Sequence, residues 1–288
     1  MPDLGNPIVS TDWLARHLDA PNLVVLDGSW HLPTEGRNPR AEYETGHIQG
    51  TRFFDIDAIS DAASPLPHML PSREAFAAHM QRLGVGDQDR IVVYDASSLG
   101  LFSAARVWWT FRVFGHDDVA VLDGGLRKWR AEGRPVTAQP PPQRAVGPFT
   151  PRLRADLVLG LDAMRTLVAT GNTQIADARS AGRFAGREPE PRPGLRSGHI
   201  PGARNVPFPT LLAADGTLKS PAELRAVFEA AGIDIARPVA TSCGSGVTAA
   251  VLSLALMMLG RPDNRLYDGS WSEWGQEGLG TPVETGVW

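Results

Sequence analysis

The run Cys243-Gly-Ser-Gly-Val-Thr248 contains the only cysteine of the chain and is the segment best suited to chemistry. Its two glycines permit a tight loop whose backbone N–H groups turn inward and bind an anion. The apolar run that follows predicts a helix, and a helix N-terminus adds partial positive charge at the same place. A thiolate held there would be nucleophilic near neutral pH, and the same donors would hold a persulfide anion formed on it.

A single cysteine excludes an internal disulfide and a cysteine-rich metal site. By number alone, a lone cysteine is a small buried hydrophobic residue. The order of strand, cysteine, glycine loop and helix favours the chemical interpretation instead. A Cys-dependent phosphatase shares this order but needs an arginine six residues after the cysteine, where this chain has Ala249. We therefore set the phosphatase interpretation aside.

Two sequence motifs occur twice, in the same order and at nearly constant separation, which indicates a duplicated domain. Gly46-His-Ile-Gln-Gly50 returns as Gly198-His-Ile-Pro-Gly202, and Asp123-Gly-Gly-Leu-Arg-Lys-Trp129 returns as Asp268-Gly-Ser-Trp-Ser-Glu-Trp274. Only one copy has a cysteine. The histidines and tryptophans that both copies share are therefore predicted to be structural: His47, His199, Trp129 and Trp274.

A proline-rich stretch predicts the boundary between the copies, because prolines sustain neither helices nor sheet ladders. We place the first domain at residues 1–138, the linker at 139–151 and the second domain at 152–288. Within each copy, short Val-, Ile- and Leu-rich runs alternate with helical patterns. This alternation predicts an α/β fold in which each domain is a mostly parallel sheet with helices on both faces.

Specific bounds follow from the apolar runs and from the glycines that end helices. The predicted strands are Leu23–Leu26, Ile91–Tyr94, Val119–Leu122, Ile175–Ala176, Val239–Ser242 and Arg265–Tyr267. The predicted helices are Ser72–Leu83, Phe102–Phe114, Pro221–Ala231 and Val247–Leu259. Ligands of such sheets bind beyond the carboxyl ends of the strands, which is where Cys243 falls.

The composition of the chain indicates which other classes of function are not expected. The 288 residues carry a net charge of −4, with 42% apolar and 21% charged residues, as in a soluble globular protein. The longest nearly apolar run is too short to cross a bilayer, and no secretory signal is visible, so we expect a cytoplasmic protein. No phosphate-binding loop, metal-ligand cluster or nucleic-acid-binding stripe is visible, and we expect neither a membrane nor a nucleic-acid partner.

The cysteine loop resembles the active-site loop of the 3-mercaptopyruvate sulfurtransferases, and the duplicated motifs resemble the tandem rhodanese fold. The resemblance covers nearly the whole chain. It implies a catalytic cysteine in the second domain and none in the first. Here Asp95 stands at the strand end of the first copy that corresponds to Cys243. The loop residues that the resemblance assigns to substrate and persulfide binding are Gly244, Gly246, Val247 and Thr248.

The residues after the cysteine bear on the sulfur donor. Rhodaneses that use thiosulfate typically carry basic side chains there, whereas this chain has Gly244 and Ser245. A neutral loop favours a donor whose charge lies elsewhere, such as an α-keto carboxylate. By resemblance, Arg183 and Arg192 match substrate-binding arginines, and an arginine fork suits a carboxylate. The residues alone slightly favour surface positions for both arginines, and the nearby Arg179 is interpreted as structural.

By resemblance, Ser245, His68 and Asp57 form a proton-handling set around the cysteine. An aspartate that orients a histidine, which in turn polarises a serine, is the general triad arrangement. From the residues alone, His68 could be a loop histidine, and Asp57 could be a turn or cap residue, with Asp55 as a rival. If His68 reaches Ser245, the active site lies between the two predicted domains.

The resemblance implies a sulfurtransferase that takes sulfur from a small-molecule donor, 3-mercaptopyruvate, through a persulfide on Cys243. Pyruvate is released, and an outside thiol, such as that of thioredoxin, or cyanide accepts the sulfur, since no second cysteine is present. No cofactor is implied. Two alternatives stay open: a thiosulfate:cyanide sulfurtransferase on the same fold, and a non-catalytic rhodanese-like module for binding or redox sensing.

Overall fold

The computed structural model describes residues 6–144 and 147–286 as two compact units. Unit 1 contains the described parts of Met1–Ala62, Leu70–Arg154 and Leu212–Leu218. Unit 2 contains the described parts of Ala63–Met69, Ala155–Leu211 and Lys219–Trp288. Each unit therefore includes one short segment from the other half of the sequence, and we call these segments arms.

Unit 1 contains a five-stranded parallel sheet with the order β1-β5-β4-β2-β3. Its strands are β1 Ile8–Val9, β2 Leu23–Asp27, β3 Arg52–Phe53, β4 Arg90–Tyr94 and β5 Val119–Leu122. Its helices are α1 Thr11–His17, α2 Pro39–Thr45, α3 Ile56–Ile59, α4 Arg73–Leu83, α5 Ala104–Val113 and α6 Gly125–Ala131.

Unit 2 repeats this architecture with the strand order β6-β10-β9-β7-β8. Its strands are β6 Val158–Leu159, β7 Gln174–Asp177, β8 Ala203–Asn205, β9 Val239–Ser242 and β10 Arg265–Tyr267. Its helices are α7 Leu161–Thr170, α8 Ala181–Phe184, α9 Pro221–Ala230, α10 Ala249–Met258 and α11 Ser270–Trp274. The predicted α/β class, with two tandem domains built on parallel sheets, is confirmed.

Local sequence accounts for where several helices begin and end. The Ser72 hydroxyl accepts a bond from the Ala75 amide at the start of α4, and Gly84 ends that helix in the left-handed conformation. Ser220 and Glu223 form a capping box at the start of α9. The two helices after the central strands, α5 and α10, are buried along nearly their whole length; α10 is apolar apart from Ser253, whereas α5 also buries Arg106 and Arg112.

The repeated histidines and tryptophans serve the scaffold in both units. His47 Nδ1 lies 2.7 Å from the Tyr43 carbonyl oxygen, and His199 Nδ1 lies 2.8 Å from that of Phe184. Each histidine ring also stacks on the aromatic ring of the same partner. The indoles of Trp129 and Trp274 are buried, and each donates to a proline carbonyl, that of Pro135 or Pro282.

Candidate active site

Cys243 directly follows β9, and α10 begins six residues later. Cys243 is buried, with 2% of the residue exposed. The fold thus places the cysteine at the carboxyl end of a central strand and beside a helix N-terminus, as its sequence context predicts. Since parallel sheets bind ligands at this edge, the position is suited to a reactive group.

The loop after the cysteine leaves amide donors available. Gly246 has φ +77°, a left-handed conformation that favours glycine. Among the described residues, the amides of Ser245, Val247 and Thr248 donate to no protein acceptor. The first N–H groups of a helix have no partner within it, so they favour an anion at this end.

The first turn of α11 determines the direction of the loop carbonyls. The Trp271 amide donates to the Cys243 carbonyl at 3.0 Å, and the Ser272 amide and hydroxyl both donate to the Gly244 carbonyl, at 2.8 and 2.7 Å. A trans peptide points its N–H opposite to its carbonyl. The amides of Gly244 and Ser245 therefore point away from α11, which frees them to face an anion.

A further serine that the sequence analysis missed supports the cysteine itself. The Ser270 hydroxyl accepts from the Cys243 amide at 3.2 Å and donates to the Tyr267 carbonyl at 2.8 Å. Ser270 adopts φ +48°, and its counterpart in unit 1 is Gly125, with φ +56°. The sequence signal for this role was the difference between the two copies of the motif, which has Ser270 in one and Gly125 in the other. A serine is uncommon in the left-handed conformation that glycine adopts readily.

One arm brings His68 to the cysteine loop. His68 Nδ1 lies 3.0 Å from Ser245 Oγ, and the histidine is buried with φ +62°. The arm Ala63–Met69 groups with unit 2, although the sequence analysis places it in the first domain. The predicted pair of Ser245 and His68 is thus assembled within unit 2.

The aspartate of the predicted set belongs to unit 1. Asp57 lies in α3, and its carboxylate accepts from Trp30 Nε1 at 3.1 Å. Asp55 is the N-cap of that helix and accepts from the Ala58 amide, so Asp55, not Asp57, takes the capping role. The expected interaction of Asp57 with His68 stays a prediction.

The two predicted carboxylate-binding arginines lie in the connection between β7 and β8. The guanidinium of Arg183 lies against the Cα of Gly244, where a Cβ would be 2.9 Å from Nη2. Arg192 lines a cavity of about 410 Å³ together with Ser272 and the arm residues 65–67. Both arginines therefore lie near elements that touch the cysteine loop.

The corresponding loop of unit 1 is already filled by a carboxylate. Asp95 follows β4 and is buried. Its two oxygens accept from the amides of Ser97, Phe102 and Ala104, at 3.0, 2.9 and 2.8 Å. Burial raises the pKa of Asp95, and these three backbone bonds partly oppose that rise. The first copy thus retains an anion-binding loop that its own side chain occupies.

The described residues contain neither a metal-binding cluster nor a membrane-spanning helix. Across residues 6–144 and 147–286, no group of three or more His, Cys, Asp or Glu side chains is placed to hold a metal ion. In the same part of the chain, no helix is long and apolar enough to span a bilayer.

Comparison with known proteins gives consistent matches along the chain. A family model described as "Rhodanese-like domain" matches residues 10–132 and 161–277. The 3-mercaptopyruvate sulfurtransferase of Homo sapiens is 45% identical over 280 residues, covering 95% of this chain and 93% of that protein. The thiosulfate sulfurtransferase of Bos taurus is 45% identical over 277 residues, covering 94% and 92%.

Among solved structures, the 3-mercaptopyruvate sulfotransferase SseA from Escherichia coli superposes with a TM-score of 0.83. It is 43% identical in sequence, and the match covers 93% of this chain and 100% of that chain.

Proposed function

Since the chain belongs to the rhodanese family, with two rhodanese-like domains, we propose that it is a 3-mercaptopyruvate sulfurtransferase that carries sulfur on Cys243. Enzymes of this family take sulfur from a small-molecule donor and pass it to a thiol or cyanide. The overall similarity does not separate the two donors, because the relatives named for 3-mercaptopyruvate and for thiosulfate are equally identical to this chain, at 45%.

The observation that carries the donor assignment is the guanidinium of Arg183 beside Gly244. A guanidinium, which can bind a carboxylate, thus lies against the residue after the cysteine, while Gly244 and Ser245 carry no charge. A keto acid donor such as 3-mercaptopyruvate has its carboxylate at one end and its sulfur at the other. Its carboxylate can therefore bind Arg183 while its sulfur faces Cys243. Arg192, on the rim of the adjoining cavity, supplies a second cation.

The first half-reaction forms a persulfide. The Cys243 thiolate attacks the sulfur of 3-mercaptopyruvate, an S–S bond forms, and the C–S bond breaks. The electron pair of that bond leaves on carbon as the enolate of pyruvate, which takes up a proton. The Ser245 hydroxyl, which forms a hydrogen bond with His68, delivers this proton in the proposed mechanism.

The second half-reaction transfers the sulfur to an acceptor and regenerates the Cys243 thiolate. The loop amides hold the persulfide anion, as the equivalent amides hold the Asp95 carboxylate in unit 1. An outside thiolate or cyanide then attacks the outer sulfur, and Cys243 leaves as a thiolate. The acceptor is an outside one because the chain has no second cysteine of its own, and by family resemblance we propose thioredoxin as the biological acceptor.

Steady-state rates with 3-mercaptopyruvate and with thiosulfate, against the same acceptor, test this proposal. We expect kcat/KM for 3-mercaptopyruvate to exceed that for thiosulfate by about tenfold or more. Thiosulfate has no carboxylate to bind Arg183, and the loss of one charged hydrogen bond predicts a difference of this size. A preference for thiosulfate would favour the alternative donor. Absence of turnover with both would favour a binding or sensing module.

A mass measurement tests the persulfide separately. Incubation with donor alone should raise the intact mass by one sulfur, about 32 Da. The Cys243→Ser variant should show no gain. A gain that survives this substitution would exclude Cys243 as the carrier.

A further inference from the structure

Arg183 is held by a buried carboxylate that the proposed mechanism does not use. Arg183 Nη2 lies 2.5 Å from Glu190 Oε2, and Nε lies 3.3 Å from Oε1. The Glu190 side chain is 2% exposed and that of Arg183 is 19% exposed. An ion pair this protected from water restricts the orientation of the guanidinium far more than a surface pair does.

The geometry of the pair decides which edge of the guanidinium remains available. Glu190 binds the edge formed by Nε and Nη2, the side-on arrangement. Among the described residues, Arg183 Nη1 donates to no protein acceptor. The other edge, formed by Nη1 and Nη2, is therefore free to bind a second carboxylate with two hydrogen bonds. Nη2 is also the nitrogen nearest to Gly244.

Glu190 is itself held in place by Arg179, which donates to Oε1, the oxygen that Arg183 Nε also approaches. Arg179 Nη1 donates to Glu190 Oε1 at 2.7 Å, and Arg179 Nη2 donates to Asp177 Oδ2 at 2.7 Å. The Arg179 side chain is fully buried, and its guanidinium lies 4.4 Å from the centre of the Trp271 ring. The structural role predicted for Arg179 thus extends, through Glu190, to Arg183.

Unit 1 carries the opposite charge at the corresponding position. Arg183 precedes Phe184, which stacks on His199, and Glu42 precedes Tyr43, which stacks on His47. Glu42 is bound by Arg37, with Nη2 to Oε2 at 2.6 Å. The unit whose loop is filled by Asp95 thus has a carboxylate at this position, and the unit with the cysteine has a guanidinium.

We infer that Glu190 is a positioning residue: its carboxylate binds one edge of Arg183 and so directs the other edge toward the carboxylate of the sulfur donor. This inference rests on the proposed role of Arg183 in donor binding. Gly244 completes the arrangement, because a Cβ there would lie 2.9 Å from Arg183 Nη2 and would displace the guanidinium.

Alkylation of Cys243 tests this inference without requiring turnover. Iodoacetate carries a carboxylate and iodoacetamide does not, so the ratio of their alkylation rates reports how well Arg183 binds a carboxylate beside the cysteine. The iodoacetamide rate alone controls for the reactivity of the thiol. We expect Glu190→Gln to lower the ratio about tenfold, since a displaced guanidinium loses charged hydrogen bonds.

Two reference variants set the scale. Arg183→Gln should lower the ratio at least as far as Glu190→Gln. Glu188→Gln removes a carboxylate from the same connection, one that accepts from the Ser180 hydroxyl at 2.9 Å, and should leave the ratio unchanged. Steady-state kinetics with 3-mercaptopyruvate should agree, with Glu190→Gln raising KM about tenfold and changing kcat less.

The outcomes separate this inference from the proposed function. A ratio lowered by Arg183→Gln but unchanged in folded Glu190→Gln overturns the inference alone. A ratio unchanged in Arg183→Gln contradicts the role of Arg183 in donor binding, and with it this inference. If Glu190→Gln does not fold, Glu190→Asp keeps the charge but shortens the side chain. A reduced ratio in Glu190→Asp supports the inference, and a wild-type ratio overturns it.

Discussion

The two units place different side chains at the same point of the same loop, and the difference separates structure from chemistry. In unit 1 the Asp95 carboxylate accepts hydrogen bonds from three loop amides, so these amides already have an acceptor within the protein. In unit 2 the loop amides of Ser245, Val247 and Thr248 have no protein acceptor among the described residues. A filled loop stabilises its unit, whereas an open loop can hold an anion that comes and goes.

The strand next to each loop shows a second contrast. Asp27 and Asp177 occupy equivalent strand ends and are both buried. Asp177 is paired with the Arg179 guanidinium. Asp27 instead accepts from the Ser29 amide at 2.9 Å, and burial raises its pKa to about 6. The aspartate at this strand end thus has a buried cation as its partner in unit 2, whereas in unit 1 burial disfavours its charged form.

Replacement of the cysteine should have the largest effect of all. Cys243→Ala should lower sulfur transfer by about 10⁴-fold or more, because no other thiol can carry the sulfur. The free energy of unfolding should change by only about 1 kcal/mol, since a small buried side chain is lost. Turnover and denaturant unfolding measure the two quantities. Residual activity near the wild-type level would show that the open loop is not the reactive one.

Removing the charge of Asp177 should destabilise unit 2 strongly. Asp177→Asn leaves the buried Arg179 guanidinium with Glu190 as its remaining carboxylate partner, and breaking such a pair costs about 4 kcal/mol. The matched change in unit 1, Asp27→Asn, should not destabilise at pH 7, because Asp27 forms no such ion pair with any residue that the structure describes. Denaturant unfolding of both variants compares them. Equal losses would contradict the contrast between the two strand ends.

Removing the Asp95 carboxylate from the loop of unit 1 should lower the free energy of unfolding somewhat less than Asp177→Asn does. Asp95→Ala leaves the amides of Ser97, Phe102 and Ala104 without their acceptor, and we expect a loss of about 3 kcal/mol in the free energy of unfolding. Turnover per folded molecule should change little, since Asp95 has no part in the reaction. A variant as stable as the wild type would show that the carboxylate does not stabilise its loop.

The smallest effect should appear in the pH dependence of stability. The pKa of Asp27 rises from 3.8 to about 6 on folding, so the folded protein keeps this proton after the unfolded chain has released it. The contribution of Asp27 to the free energy of unfolding of the wild type therefore falls as pH rises from about 4 to about 6. Asp27→Asn lacks this contribution, and its advantage should grow by an amount on the order of 2 kcal/mol across that window.

Unfolding at several pH values, with the wild type and Asp27→Asn compared at each, checks this prediction. Burial also raises the pKa of Asp123 to about 6, but Asp123 is present in both proteins and cancels in the difference. A difference that is constant across the window, or that shrinks as pH rises, would contradict the raised pKa of Asp27.

The sequence by itself determined the repeat, the fold class and the position of the cysteine. Predicted and observed elements agree closely: the strand Val239–Ser242 has the predicted bounds, and the helix predicted at Val247–Leu259 forms over Ala249–Met258. These features depend on local patterns, namely apolar runs, glycines and motif order, which a single chain displays directly. The same local pattern placed Asp95 at the position equivalent to Cys243.

Only the tertiary structure decided which side chains meet at the loop. Ser270, Glu190 and the arm that carries His68 are separated from Cys243 by 27, 53 and 175 positions in the sequence. Their contacts arise because parallel strands bring distant connections to one edge of a sheet, and no local pattern encodes such a meeting. Whether a loop amide has a hydrogen-bond acceptor depends on all the groups that the fold brings within reach of it. This can be seen only once the chain is folded.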